Sequence, residues 1–334
     1  MRVIITEKPA TNRALAEVLD NSVKDEEIFF IEAQPYWLND FKLPKGLSLC
    51  QYPYFGDPAY RRDKQSATLS RRLSKLVNGR AEVIRPTSLD DARDILLTAR
   101  EIVCACDWDH TGIWGFDLFI EHTLGKNRAS SYPVWVFDGG LDTKSIVKAF
   151  EYPLDTNKPD YLSLLSAGKA KRLFEYNYAV NSLAVLGNLY RKLSGTNQSA
   201  FISKYALQTL IWLNASPPIK CYELENMLAN KWMGTGKYPA NGMKHLFGMG
   251  SAISRQSLIN DLVRLGLAEQ SADWLLTISS LGKQFVAALH PDCKDVDLPF
   301  RIDAWMCQGV ETAEPAIKRY LNTFFGKQLK FEKT

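Results

Sequence analysis

The sequence lacks the signatures of several large functional classes. Its six cysteines form no CxxC pair, and no histidine stands at zinc-finger spacing from them. A zinc module and a disulfide scaffold are therefore excluded, and reduced thiols in a cytosolic protein are the expectation. No P-loop, Rossmann fingerprint or GxSxG elbow occurs, so no nucleotide cofactor is expected. No apolar run approaches the ~20 residues of a membrane span, and the amino-terminal apolar run stops at Glu7 and Lys8. A soluble protein without a membrane partner follows as the expectation. Low-complexity tracts and fixed-period repeats are also missing. His122, His245 and His290 have no ligand-type neighbours in sequence and receive no role.

Excess charge is likewise small. Lys and Arg number 41 against 37 Asp and Glu, a net charge of +4 that permits an anionic partner without requiring one. The 334 residues, 46% hydrophobic and 23% charged, describe a folded chain long enough for two domains.

Arg2 to Thr6 is a β-branched run, followed by Glu7-Lys8-Pro9 and then Ala14, Leu15, Val18 and Leu19 at helical spacing. Ala92 to Ala99 reads as a helix and Glu101 to Cys106 as a buried strand ending at Asp107-Trp-Asp-His-Thr-Gly. A helical run over 115–124 and a strand over 134–137 follow, and then a helix capped by Asp142 or Thr143. Strands alternating with helices predict an α/β domain with a mostly parallel sheet over residues 1–152. Beyond Tyr152-Pro153 the periodicity is helical, over 169–193, 203–213, 222–232 and 254–265. The segment 255–289 has the helix, strand pair, helix order of a winged-helix unit, placed at about 248–310.

Asp107 and Asp109 follow one predicted parallel strand, and Glu7 follows another. Both strand ends share the edge of an open sheet where ligands bind, so the three carboxylates could converge on Mg²⁺ together with substrate phosphates. From Arg61 to Arg85 runs a basic stretch, including Arg62, Arg71, Arg72 and Lys75, preceded by Tyr52, Tyr54, Phe55 and Tyr60. Cations beside aromatics can hold phosphates and stack unpaired bases, while a solvated face over core aromatics is the plainer alternative. Lys169, Lys171 and Arg172 form a second basic group.

Glu7-Lys8-Pro9 and Asp107-Trp-Asp-His-Thr-Gly resemble the EKPS and DPDREGE motifs of the toprim domain in type IA DNA topoisomerases. The likeness continues in order along the chain. Phe137 to Phe150 is similar to the segment closing that domain, and Ala170 to Asn181 resembles the ARxxADWLVGIN helix. Ser203 to Thr209 stands where SxGRVQT is expected, and Gly248 to Arg255 looks like GIGTPATR. The resemblance implies a toprim α/β domain over 1–152 and a helical DNA-binding domain over 153–334. It also implies metal ligands at Glu7, Asp107 and Asp109, a phosphate-facing Lys8, and DNA contacts from Gln208 and Arg255.

The departures from the family are specific. Thr111 and Ile113 replace the two glutamates of DPDREGE, and Ala206 replaces the arginine of SxGRVQT. Tyr238-Pro239 echoes the nucleophile motif YPRT, but Ala240 and Asn241 follow it. The arch and tyrosine domain of the family would have to fit into 210–247. The expectation is a cytoplasmic DNA-binding protein of single strands or junctions, without full strand passage and with at most a weak Mg²⁺ site. A Mg²⁺-dependent nickase or minimal topoisomerase using Tyr238, and a protein-interaction module serving a protein partner in DNA processing, are the alternatives.

Overall fold

A computed structural model describes residues 1–22, 26–33, 41–60, 72–86, 89–125, 131–137, 140–197, 200–230, 232, 249–250 and 252–332. The chain forms two compact units. Met1–Lys42 and Tyr60–Lys169 make the first, and Leu43–Ala59 and Ala170–Thr334 make the second. The division therefore falls seventeen positions beyond residue 152, counting from there to Lys169, and an early segment crosses to the later unit.

The first unit is built on strand β1 (Arg2–Thr6), whose sequence Arg-Val-Ile-Ile-Thr suits a position buried on both faces. β1 pairs in parallel with β2 (Ile28–Glu32) on one side and β5 (Glu101–Cys104) on the other. Side chains alternate across the sheet. Val3 and Ile5 join one core with Ile31, Cys104, Ile113 and Phe116. Ile4 joins the opposite core with Leu15, Leu19, Phe30, Val103 and Trp135. Helix α1 (Pro9–Ser22) supplies Leu15 and Leu19 to the latter.

The sheet is completed in the order β4-β3-β2-β1-β5-β6-β7, with β3 (Arg72–Val77), β4 (Arg80–Pro86), β6 (Pro133–Val134) and β7 (Leu154–Asp155). The parallel α/β centre matches the expectation, whereas β3 and β4 form an antiparallel hairpin inside the stretch read as basic. Its turn is Asn78-Gly79, with φ of 46° and 71°, both left-handed as a tight two-residue hairpin loop requires. Helices α2 (Leu89–Thr98), α3 (His110–Leu124) and α4 (Thr143–Glu151) follow in chain order among the strands.

The second unit takes α5 (Pro159–Ala184) from Ala170 onward, then α6 (Leu186–Ser194) and α7 (Lys204–Asn214). The single helix expected over 169–193 is thus two, separated at Val185. Gly187 explains a close packing there, because a Cβ on it would lie 2.7 Å from the carbonyl oxygen of Ala200. Next come β8 (Ile219–Lys220), α8 (Cys221–Asn230), α9 (Ala252–Arg264), β9 (Ala268–Gln270), β10 (Leu275–Ile278) and α10 (Ser280–Ala287). The three strands form a small antiparallel sheet in the order β8-β10-β9. Helices α11 (Leu298–Gln308) and α12 (Val310–Phe331) close an aromatic core. In it the ring centroids of Phe174 and Trp305, and of Tyr178 and Phe325, lie 5.5 Å apart.

Two asparagines on α5 hold the early segment. Asn181 Oδ1 accepts from the Tyr54 N–H and its Nδ2 donates to the Tyr54 carbonyl, both at 2.8 Å. Asn177 does the same for Gly56, also at 2.8 Å on each side. Each carboxamide pairs with backbone as a neighbouring strand would, satisfying polar groups that burial would otherwise leave stranded. Both asparagines are fully buried. Among the described residues no helix is long and apolar enough to cross a membrane.

Candidate functional site

The parallel register of β1 and β5 sets Ile5 opposite Cys104 and brings the residues after both strands to one edge. The Ala105 N–H continues the ladder by donating to the Ile5 carbonyl at 2.8 Å. One turn further, the Asp107 N–H donates to Glu7 Oε2 at 3.1 Å, and Lys8 Nζ lies 2.6 Å from Asp107 Oδ2. The Lys8 and Asp107 side chains are 50% and 44% exposed, so their pair is solvent-facing. Beneath them Thr6 Oγ1 donates to Asn12 Oδ1 at 2.6 Å, and Asn12 Nδ2 donates to the buried Glu32 at 3.1 Å. That network fixes the start of α1 below Lys8.

The path from Asp107 into α3 is tight. A Cβ on Gly112 would meet the Asp107 carbonyl oxygen at 2.3 Å, so no other residue fits without moving backbone. Asp109 is the N-cap of α3, accepting from the N–H groups of Thr111 at 2.7 Å and Gly112 at 2.9 Å. Burial pushes the Glu7 carboxyl up to about 8, with the neighbouring Asp107 charge adding to it. The hydrogen bond to Asp107 raises the Lys8 ammonium, which stays charged. At neutral pH the edge therefore presents a protonated Glu7 beside the Lys8–Asp107 pair.

That arrangement does not fit a resident Mg²⁺ held by Glu7, Asp107 and Asp109. Asp109 gives one carboxylate oxygen, Oδ1, to two helix amides, and Asp107 already faces a cation. Hard-cation sites instead need free carboxylate oxygens converging on one point. Among the described residues no group of three His, Cys, Asp or Glu side chains could hold a metal ion. Two of the three expected carboxylates, Glu7 and Asp107, do meet.

The expected DNA-contacting residues divide differently. Lys169 is exposed on α5 and lies 3.4 Å from Asp117. Arg172, expected beside it as a surface cation, is only 7% exposed and donates from Nη1 to Glu175 at 2.9 Å. The correction has a physical cause. Glu175 is largely withdrawn from solvent, its side chain 15% exposed, which alone would raise its pKa, yet the charges of Lys204 and Arg172 hold it well below the usual carboxylate range. Lys204 Nζ lies 2.9 Å from Glu175, completing a charged cluster invisible in sequence because its members are 29 residues apart. Lys171 lies on the same helix and also lowers Glu175.

Gln208, expected to contact DNA, is 2% exposed on α7 and donates from Nε2 to the Asp295 carbonyl at 3.0 Å. Arg255 Nη1 donates to the Gly250 carbonyl, fixing the entry to α9. Arg72 opens β3. Lys75, three residues along, is bonded to Glu27 at 2.7 Å. Arg61, Arg62, Arg71 and Tyr238 lie outside the described residues.

No protein-family model and no curated protein sequence matches the chain. Among solved structures it is similar to full-length topoisomerase I from Thermotoga maritima in a monoclinic crystal form. The TM-score is 0.40 at 11% identity, over 83% of this chain and 48% of that one. The chain thus spans about half the length of that structure.

Proposed function

We propose that the chain is a type IA topoisomerase-related DNA-binding protein that docks single-stranded or junction DNA and does not carry out full strand passage. The observation that carries this reading is the half-exposed Lys8 ammonium, held 2.6 Å from Asp107 at the shared end of β1 and β5. The motifs resembling EKPS and DPDREGE coincide with those two strand ends. In such a toprim-like edge Lys8 meets a backbone phosphate, and Asp107 and Glu7 orient it. Mg²⁺ would enter only weakly and with DNA, because in the free protein Glu7 holds its proton and Asp107 is paired with Lys8.

In the second unit, the helix, strand, strand, helix order of α9, β9, β10 and α10 supports the winged-helix reading of about 248–310. On α9, Gln256, Asn260 and Arg264 recur at every fourth position and are all exposed. These side-chain types suit nucleic-acid contact. Lys169, Lys171 and the arginines of 61–72 supply further charge. A cytoplasmic setting belongs to the same reading.

One gel tests it. Protein is incubated with single-stranded and negatively supercoiled DNA, with and without Mg²⁺. A mobility shift without a change in linking number is expected, and Tyr238→Phe should shift DNA as the parent does. Relaxation that needs Mg²⁺ and disappears in Tyr238→Phe would replace this reading with a minimal topoisomerase. The single-strand binding constant should fall with salt at about 0.7 log units per phosphate neutralised. Replacing Arg71 and Arg72 together by Ala should flatten that slope.

A further inference from the structure

The tip of the small sheet in the second unit carries an exposed aromatic pair that the DNA reading does not use. Trp274 is 64% exposed and Tyr222 is 65% exposed. The backbone links Trp274 to the residue just before Tyr222, because the Cys221 N–H donates to the Trp274 carbonyl at 3.0 Å. β8 and β10 pair immediately beside them, Lys220 opposite Leu275. Large aromatic side chains left in water at one tip are the type of surface that anchors recognition.

The charge around the pair decides what it can receive. Among the described residues, Glu223, Glu225, Glu269 and Asp273 lie within a few positions of the two rings or on the paired strand, against the one cation Lys220. Among the described residues none of these four carboxylates is bonded to a cation. Tyr222 donates its hydroxyl to Glu223 Oε1 at 3.2 Å, which sets a carboxylate beside the ring. A nucleic-acid strand brings closely spaced phosphates to such a surface and is repelled. A guanidinium or ammonium is attracted twice, by the ring faces and by the carboxylates.

We propose that the β9–β10 tip, with Trp274 and Tyr222 as platforms, is a docking surface for an Arg- or Lys-rich segment of a partner protein. The ring of Trp274 sits where the hairpin needs a left-handed residue, with φ of 60°. Glycine adopts that conformation freely, so Trp274→Gly removes the ring and keeps the turn.

The test uses the whole chain and a fluorescent peptide of repeating Arg-Gly, followed by anisotropy, with a Glu-Gly peptide and oligothymidine as companions. The Arg-Gly peptide should bind and the Glu-Gly peptide should not. Trp274→Gly and Tyr222→Ala should each weaken binding about two- to five-fold, the size of an exposed cation–π contact. Asp273→Asn with Glu269→Gln should flatten its salt dependence. Oligothymidine binding should be the same in Trp274→Gly as in the parent. Peptide binding unchanged in both aromatic variants overturns the proposal. So does loss of oligothymidine binding in Trp274→Gly, which would assign the tip to nucleic acid.

Discussion

Two charged clusters, one in each unit, use a glutamate beside a lysine and reach opposite electrostatic outcomes. Glu7 is buried with the Asp107 carboxylate as its strongest charged influence, and its pKa climbs to about 8. Glu175 lies between Lys204 and Arg172, largely withdrawn from solvent, and its pKa falls although desolvation acts in the same upward direction. Desolvation is common to both, so the sign is set by the second charge within reach. The first cluster leaves an ammonium and a carboxylate open to solvent at a sheet edge. The second sets one carboxylate between two cations that are largely withdrawn from solvent. Only the former is placed to meet a ligand, and the latter is a structural feature of α5 and α7.

Mutation can break this contrast, and the largest effect should come from the interior cluster. Glu175→Gln removes the carboxylate that Arg172 and Lys204 share and should cost about 3–5 kcal/mol in urea unfolding. A loss below about 1 kcal/mol would mean that the cluster is wetter than its burial indicates. Its pH sign follows from a depressed carboxylate. The contribution is fully present above the ordinary value near 4.5 and is lost as pH falls below it. The parent should therefore lose stability in acid more steeply than Glu175→Gln.

Glu7 should behave in the reverse sense. A carboxyl raised from 4.5 to about 8 binds its proton more tightly when folded, so stability declines as pH rises through that window. Glu7→Gln should remove the decline, matching the parent near the lower end. Above it the variant should gain up to about 1 kcal/mol per pH unit, read from unfolding curves. A variant that tracks the parent at every pH would show Glu7 to be ionised.

Smaller still is the effect at Asp109. Asp109→Ala should cost about 1 kcal/mol, the loss of an N-cap, while Asp109→Asn should cost under about 0.5 kcal/mol because asparagine caps equally well. Calorimetry of the free protein should detect no tight Mg²⁺ binding, and Asp109→Asn should leave that unchanged. Tight binding abolished by this variant would restore Asp109 as a ligand.

How far these sites were legible varies with the range of the interaction. β1, α1 and β5 are written in local pattern, and parallel pairing then fixes the meeting of Glu7 with Asp107. The diversion of Asp109 into a cap was also readable, since Asp before a helical run is an ordinary N-cap signal. The β3–β4 hairpin was obscured by its arginines and lysines, although Asn78-Gly79 is a strong turn signal. Arg172 was misplaced because a charge run along a helix says nothing of which members face inward. Its burial depends on Lys204, contributed by another helix.

The grip of Asn177 and Asn181 on the segment 54–56 has a consequence for how the protein is made and dissected. The backbone that Asn181 holds is 127 positions earlier in the chain, and the piece held by Asn177 is 121 earlier. On the ribosome that segment emerges long before the helix that clasps it, and it must wait while the first unit's strands are synthesised. Closing so wide a loop favours late completion of the second unit. A fragment beginning at Ala170 would carry the clasp without its strand, and its two carboxamides would have to find water instead. Useful halves of this protein would need residues 43–59 supplied to the later one, as a covalent graft or a complementing peptide.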